Sequence, residues 1–396
     1  MNVDKMIALG KQSSAIRELF EYGKIRKNEI GEDKVFDFSI GNPNIPCPKV
    51  VTEKLIEILS NDNPVDIHGY SSAIGHLHVR EAIANYVNET FNAKERAELV
   101  LLTAGAAPGL AICFHGLLNP QDEVIAFAPF WPEYRVLVEK ANATLKVVKP
   151  DANFLPDYED LEKQITEKTR IVVINNPNNP TGVVYEEDTI AKLASILERK
   201  QKEFGHDIYL ISDEPYRELI YNEQIKFPFI TNYYNNSIIT YSFSKAISLP
   251  GERIGYLIVG RNTNNATDVY AALKGSSRTL GYVCASTLFQ RLIPHCLGVT
   301  SDLSIYKKNQ EILYNHLVSL GYEVTKSYGA FYLFVKALEE DANKFSEVAK
   351  DNFELLLVPS DSFGVKGYVR ISYCVSTKQI IDSLPIFEKL YKHYNK

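Results

Sequence analysis

The chain has 396 residues, 45% of them hydrophobic and 23% charged, a composition typical of a globular protein of about two domains. A formal net charge of −6 without a basic run argues against a nucleic-acid partner. The five cysteines are scattered and form no CxxC pair, which predicts reduced thiols and no metal site. No apolar segment resembles a signal peptide or reaches the ~18 residues of a membrane span. The sequence therefore predicts a cytoplasmic protein.

The N-terminal part predicts a helix followed by a short strand that ends in a turn. Apolar residues recur at helical spacing over residues 14–26, and residues 35–40 are typical of a strand. The strand stops at Gly41, which either lets a ligand approach the backbone or serves only as a turn residue. Further on, Tyr70 lies in a polar loop at residues 68–75, where it is either a ligand contact reaching away from its own domain or ordinary packing.

A glycine turn follows the next predicted strand, residues 100–103. Gly105 permits a tight turn, and Pro108 suits the first position of the following helix, where its missing N–H costs nothing. The N–H groups around Gly105, Ala106 and Ala107 would then point out of the helix N-terminus, which is a site for an anion. The loop matches neither GxGxxG nor GxxxxGK[ST], so dinucleotide-binding and P-loop interpretations are disfavoured.

Strands and helices alternate from about residue 96 to residue 260, which predicts a mostly parallel, doubly wound sheet. Ligands of such sheets gather at the carboxyl ends of the strands. Trp131, the only tryptophan, follows one strand end, where its ring could stack on a flat ligand or fill the core. Asp213 follows another strand, so we expect it to be partly buried and to need a cationic partner.

The segment YSFSKAISLPGER, residues 241–253, concentrates the chemistry. Lys245 follows a predicted strand, and a lysine held at such a point is suited to form a Schiff base with an aldehyde. The hydroxyls of Ser242 and Ser244 and the guanidinium of Arg253 suit a phosphate. Pyridoxal 5′-phosphate carries both groups. The alternative is a solvated lysine and arginine beside a turn.

The remainder of the chain predicts a smaller α+β domain to which the N-terminal helix and strand contribute. The pattern is helical from about residue 271 to residue 320, and strands are predicted at 322–324, 330–335 and 368–372. The predicted organisation is an N-terminal arm and part of the small domain at 1–48, a large cofactor-binding domain at 49–285, and a small C-terminal domain at 286–396.

Three motifs carry a resemblance over essentially the whole chain: NPNNPTG at 176–182, SDEPY at 212–216, and SFSK at 242–245 with Arg253. Together they resemble the fold-type I pyridoxal-phosphate enzymes, specifically the class I/II aminotransferases. The resemblance implies amino-group transfer between an α-amino acid and a 2-oxo acid by a ping-pong mechanism with pyridoxal phosphate. It also implies a role in amino acid metabolism and biosynthesis, and a homodimer with shared active sites.

The resemblance assigns catalytic roles to Lys245, Asp213 and Tyr216. Lys245 would form the Schiff base and shuttle protons, and Asp213 would pair with the pyridine nitrogen of the cofactor. Asn179 and Tyr216 would donate hydrogen bonds to the phenolic oxygen of the cofactor ring. Arg370, in the predicted strand 368–372, would bind the substrate α-carboxylate, with Asn179 and the backbone of Gly41 beside it.

The remaining implied contacts surround the cofactor. Trp131 would stack on its ring, and Tyr70 would reach in from the partner subunit. Some relatives place a hydroxyl residue in the phosphate turn, whereas this chain has alanines, so only backbone groups can donate there. The implied phosphate ligands are Gly105, Ala106, Ala107, Ser242, Ser244 and Arg253.

Other functions remain open alternatives. A pyridoxal-phosphate-dependent β-C–S lyase would keep the cofactor, but relatives of that type tend to carry histidine at the position of Tyr216. A cofactor-binding regulator would need a basic DNA-binding domain, for which the chain has neither room nor charge. The presence of Lys245, Asp213 and Arg370 together argues against an inactive homologue. A dicarboxylate substrate would need a second arginine, and Arg17 or Arg278 could supply it.

Overall fold

The computed structural model describes residues 3–11 and 14–395. In chain order the strands are β1 (Phe36–Asp37), β2 (Val100–Thr103), β3 (Glu123–Phe127), β4 (Thr144–Val148), β5 (Thr169–Asn175), β6 (Tyr209–Asp213), β7 (Ser237–Ser242), β8 (Gly255–Val259), β9 (Tyr332–Lys336), β10 (Leu355–Leu356), β11 (Val358–Pro359) and β12 (Tyr368–Ser372). The α-helices are α1 (Val3–Lys11), α2 (Ala15–Ile30), α3 (Lys49–Asn61), α4 (Pro64–His68), α5 (Leu77–Phe91), α6 (Ala106–Leu117), α7 (Glu133–Lys140), α8 (Tyr158–Gln164), α9 (Glu187–Phe204), α10 (Phe243–Ala246), α11 (Ala266–Thr279), α12 (Thr287–Leu292), α13 (Ser304–Leu320), α14 (Ala342–Phe353) and α15 (Thr377–Tyr394).

The main sheet has the strand order β2-β8-β7-β6-β5-β3-β4. Strand β8 runs antiparallel to both of its neighbours, and the other pairs are parallel, which confirms the predicted mostly parallel α/β sheet. Except for the edge strand β4, its strands are buried on both faces, as is usual for parallel sheets. Within β5, Val172 and Ile174 pack into one hydrophobic core, while Ile171 and Val173 pack into the core on the opposite face.

A second, smaller sheet has the antiparallel order β11-β12-β9, and β1 pairs with β10 in parallel. The predicted strand at 322–324 is wrong, because this segment forms only an isolated bridge from Val324 to Val335. The predicted strand at 35–40 is reduced to β1. The carboxylate of Asp37 accepts hydrogen bonds from the backbone N–H (3.0 Å) and the hydroxyl (2.6 Å) of Ser39, and this Asx-type turn ends the strand.

The two ends of the chain share a core. Phe36 and Phe38 pack with β9, β12 and α15, as the sequence predicts for the N-terminal segment. Leu292 and Cys296, in contrast, belong to the core of the main sheet, whereas Tyr306 lies in the core of the smaller sheet. On this packing we propose that the domain boundary lies between Cys296 and Tyr306, later than the residue 285 predicted from sequence.

The fold places the carboxyl ends of β5, β6 and β7 side by side, facing the smaller sheet. Polar residues that follow these strands are therefore brought to one edge. Over the described residues, no helix combines the length and the apolar character that a membrane crossing requires.

Candidate active site

A cavity of about 270 Å³ opens at the carboxyl edge of the main sheet. This volume is near the lower end of the range for small-molecule sites, ~300–1,000 Å³. Most of the residues that the sequence singled out line it, although they come from separate strand ends and from the segment after β1. These lining residues are Gly41, Ala106, Ala107, Trp131, Asn179, Asp213, Tyr216, Ser242, Ser244, Lys245 and Arg253.

Lys245 lies in the one-turn helix α10, directly after β7. The Ser242 hydroxyl caps this turn by accepting a hydrogen bond from the Ser244 N–H (3.2 Å). The Lys245 Nζ donates to the carbonyl oxygen of Gly41 at 2.6 Å. Burial lowers the pKa of Lys245 to about 8, and the nearby Arg253 and Arg370 add to this effect. A larger share of the amine is therefore neutral and nucleophilic near neutral pH.

Asp213 is buried at the end of β6. The Tyr134 hydroxyl donates to its Oδ2 at 2.7 Å, and the Asn175 side chain donates to its backbone carbonyl at 2.9 Å. Its Oδ1 is buried and has no hydrogen-bond partner among the described residues. Burial raises the pKa of Asp213 to about 7, and the Tyr134 hydrogen bond opposes part of the rise. This carboxyl group is therefore ready to receive a cationic or hydrogen-bond-donating group from a ligand.

The residues of the predicted anion site lie at the N-terminus of α6. The helix begins at Ala106, so the placement of Pro108 at its first position is wrong; Pro108 is the third residue, still within the turn whose N–H groups have no intrahelical partner. Gly105 has φ of 102°, and a Cβ there would lie 2.8 Å from Nη2 of Arg253. The absence of a side chain at Gly105 thus lets the guanidinium approach the free N–H groups of the helix.

Hydroxyl groups and a guanidinium complete this end of the cavity. The Ser242 and Ser244 hydroxyls are 2.7 Å apart, and Arg253 Nη1 donates to the Ser244 hydroxyl (3.5 Å) and to the Pro250 carbonyl (3.0 Å). Arg253 itself adopts a left-handed backbone conformation, with φ of 52°. Such strained conformations of non-glycine residues cluster at functional sites. The arrangement has the donors that a phosphate group needs.

Arg370 lies in β12 of the smaller sheet and is only 2% exposed. Its Nη1 donates to the side-chain oxygen of Asn179 at 3.0 Å, and its Nη2 donates to the carbonyl of Ser39. The Nε has no partner within residues 14–395. A guanidinium held in this way still has donor capacity for a planar carboxylate.

Tyr216 contacts a residue from the smaller sheet. Its hydroxyl lies 2.9 Å from the hydroxyl of Tyr332, which also lines the cavity. Burial raises the pKa of Tyr216, and Tyr332 adds to the rise. The structure also explains Gly41, because a Cβ at this position would overlap with the Tyr332 hydroxyl. The close approach at Gly41 is therefore made by a side chain of the same chain.

Gly105 and Arg370 do not line the cavity themselves but lie against the lining residues Arg253 and Asn179. Three other predicted residues lie away from the cavity of their own chain. Tyr70 is 90% exposed, and Arg17 is exposed in the first turn of α2. Arg278 is exposed on α11, where it lines a separate surface cavity with Ala73 and Ile74 from the loop that follows Tyr70.

Sequence reasoning missed Tyr134, Asn175 and Tyr332 as site residues. Asn175 is the last residue of β5 and orders the loop that follows, since its Oδ1 accepts a hydrogen bond from the Asn179 N–H at 2.6 Å. The available signal was position in the chain, since Asn175 ends the buried strand β5 and Tyr134 lies in the segment after β3, both at the ligand-binding edge. No local pattern distinguishes Tyr332 from a core residue of its strand.

Comparison with known proteins shows similarity along the whole chain. The family model described as aminotransferase class I and II matches residues 33–384. An aspartate aminotransferase of Thermotoga maritima is 31% identical over 363 residues, covering 90% of this chain and 91% of the relative. An aspartate aminotransferase of Pyrococcus horikoshii is 30% identical over 384 residues, covering 95% of this chain and 94% of the relative.

Among solved structures, the crystal structure of an amino transferase from Eubacterium rectale superimposes with a TM-score of 0.97 at 49% sequence identity. The match covers 100% of this chain and 99% of that chain.

Proposed function

The chain belongs to the class I and II aminotransferase family, whose members use pyridoxal phosphate, and from this premise we propose which residues carry the amino-group transfer. Lys245 binds the cofactor, Asp213 pairs with its ring nitrogen, and Arg370 binds the α-carboxylate of the amino acid and of the 2-oxo acid. The observation that supports this proposal best is the placement of the Lys245 amine and the buried Asp213 carboxyl, with an unpaired oxygen, in one cavity.

Pyridoxal phosphate fits the residues of this cavity. The unpaired Asp213 oxygen suits a protonated ring nitrogen, and the helix N-terminus at Ala106 with Arg253 suits the phosphate. Lys245, Arg253 and Arg370 bring three positive charges to a site whose lining has one carboxyl group, Asp213. This excess of positive charge suits a ligand set that carries a phosphate and a carboxylate.

When bound, the cofactor supplies an electron sink for the α-carbon of the amino acid. Asp213 keeps the ring nitrogen protonated, because a nearby carboxylate favours the charged form of the nitrogen. The free amine of Lys245 would take the proton from the α-carbon as a general base, which contributes typically ~10²–10⁴-fold. Asn179, Tyr216 and Trp131, which line the cavity, would help to hold the cofactor ring, the first two through hydrogen bonds.

The proposal is tested by half-reactions of the loaded protein with single amino acids. An amino donor should bleach the absorbance of the bound cofactor, and a 2-oxo acid should restore it. Aspartate is the first donor to test, because the Thermotoga and Pyrococcus relatives are named aspartate aminotransferases. Thiol release from a sulfur amino acid, with no absorbance change that a 2-oxo acid reverses, would contradict amino-group transfer.

Arg370→Lys is predicted to lower turnover of amino acids by at least ~10²-fold, about 2.7 kcal/mol at 1.36 kcal/mol per tenfold. Lysine keeps the charge but loses the fork that binds both carboxylate oxygens. The measurement is kcat/KM for an amino acid and, as the internal control, for a simple amine without a carboxylate. Cofactor affinity should be unchanged. Equal losses for the amine and the amino acid would show that Arg370 does not bind the carboxylate.

We propose a homodimer in which Tyr70 completes the cavity of the partner. This is supported by the exposure of Tyr70, which is 90%, and by the apolar side chains that flank it in the sequence, Val65 and Leu77, which are 77% and 54% exposed. Large exposed apolar side chains that lie close together mark interaction surfaces. Arg278 shares a surface cavity with the loop that carries Tyr70, so it is the better candidate to read a substrate side chain, ahead of Arg17.

Mixing two inactive variants tests the shared site. Tyr70→Ala and Lys245→Ala homodimers should each have little activity, whereas hybrids should regain part of it, because one of their two sites would have both residues intact. Subunit exchange is verified by mass spectrometry with one subunit isotopically labelled. Full exchange without recovery of activity would reject the sharing of Tyr70.

We also propose that the protein acts in the cytoplasm, in amino acid biosynthesis. The support is the set of free thiols, Cys47, Cys113, Cys284, Cys296 and Cys374, which suits a reducing compartment. Fractionation of cells that produce the tagged protein tests the location.

A further inference from the structure

We propose that Tyr332 is a positioning residue that connects the carboxylate-binding Arg370 with Tyr216 on the cofactor side of the cavity. The inference rests on the proposed function of these two residues. Through Tyr332, the small domain would influence the hydrogen bond that Tyr216 donates to a bound cofactor.

The register of the smaller sheet brings Tyr332 and Arg370 together. In the antiparallel pair of β9 and β12, Tyr332 lies opposite Ser372, and Arg370 lies opposite Phe334. Tyr332 and Arg370 are therefore diagonal neighbours on one face of the sheet, within reach of long side chains. The guanidinium carbon of Arg370 lies 4.6 Å from the centroid of the Tyr332 ring, a distance typical of a cation–π contact.

The hydroxyl of Tyr332 reaches a residue of the large domain, Tyr216. It lies 2.9 Å from the hydroxyl of Tyr216, and both side chains are buried. Gly41 leaves the room that this hydroxyl occupies, because a Cβ there would overlap with it. A phenylalanine would fill the core equally well, so the hydroxyl is the part of Tyr332 that packing does not explain.

Either hydroxyl of the pair can donate, and the guanidinium of Arg370 against the ring of Tyr332 favours Tyr332 as the donor. Burial raises the pKa of Tyr332 to about 12, while Arg370 opposes the rise. When Tyr332 donates to the oxygen of Tyr216, the hydrogen of Tyr216 is free for the ring oxygen of a bound cofactor. Successive hydrogen bonds polarise one another, so Tyr332 strengthens this donation.

Two substitutions separate the two contacts of Tyr332. Tyr332→Phe keeps the ring against Arg370 and removes the hydroxyl, whereas Tyr332→Leu removes both. Tyr373→Phe is the matched control, because Tyr373 is a buried tyrosine of the same core whose hydroxyl donates to the Ala330 carbonyl (3.2 Å). The readouts are the pH midpoint of the absorbance change of the bound cofactor and KM for the amino acid.

In Tyr332→Phe the weaker donation from Tyr216 favours the protonated form of the bound cofactor, so the midpoint should rise by at least ~0.4 unit, the size expected for one ordinary hydrogen bond. KM should stay within ~2-fold of the wild type, while Tyr332→Leu should raise it at least ~3-fold through loss of the cation–π contact. Tyr373→Phe should change neither value.

An unchanged midpoint in Tyr332→Phe, or an equal shift in Tyr373→Phe, would overturn the inference while leaving the proposed function intact. If the wild-type protein takes up no cofactor, the proposed function fails and the inference fails with it. If Tyr332→Leu does not fold, the test rests on the pH midpoint of Tyr332→Phe compared with that of Tyr373→Phe.

Discussion

Replacing Lys245 by alanine is expected to lower turnover by at least ~10⁴-fold, the upper end of the contribution of a general base, because the same amine both holds the cofactor and moves the α-proton. Its pKa of about 8 and its position at the end of β7 suit both tasks. The measurement is single-turnover conversion of an amino acid by the loaded variant.

The matched control for this substitution is Lys163→Ala, since Lys163 is an exposed lysine of α8 that does not line the cavity. The control should retain wild-type turnover and cofactor content. Lys245→Ala should still bind the cofactor, although more weakly, because the contacts to its phosphate and ring remain. Turnover above ~1% of the wild type in Lys245→Ala would exclude the proposed role, since general-base loss alone costs ~10²-fold or more.

Asp213→Asn is expected to lower turnover by roughly 10²–10⁴-fold. The amide keeps the shape of the side chain and can accept the Tyr134 hydrogen bond, but it removes the negative charge that holds the proton on the ring nitrogen. Breaking a buried ion pair costs roughly 3–5 kcal/mol, and each 1.36 kcal/mol corresponds to a tenfold change in rate. The measurement is kcat at saturating cofactor.

Glu214→Gln is the control for Asp213→Asn. Glu214 is also buried, and its pKa is raised to about 7 by burial, but its ion pair with Arg217 lies outside the cavity. This substitution should lower the melting temperature without changing the absorbance of the bound cofactor. Near-normal turnover in Asp213→Asn, or equal losses in the two variants, would reject the role of Asp213.

The sequence predicts best the elements with strong periodicity. Strands β2 and β12 begin and end at the predicted residues, because each is a short run of mostly apolar residues. The positions of Lys245 and Asp213 follow from the same reasoning, since residues after parallel strands meet at one edge of the sheet.

The sequence could not supply the contacts between distant segments. Tyr134 and Asp213 are 79 residues apart, and Tyr216 and Tyr332 are 116 residues apart, so their hydrogen bonds depend on how the strands are ordered and how the two sheets face each other. The short strand β1 was overestimated for a related reason: its pairing with β10 is limited by the turn at Ser39, which depends on a side chain rather than on hydrophobic periodicity.

Chemical trapping of the cofactor tests the central claim most directly. The protein is loaded with pyridoxal phosphate, treated with borohydride to make the carbon–nitrogen bond to the lysine permanent, digested and mapped by mass spectrometry. The account predicts that the cofactor mass is found on Lys245, and that Lys245→Ala shows no label. A label on another lysine, or equal labelling of wild type and Lys245→Ala, would contradict it.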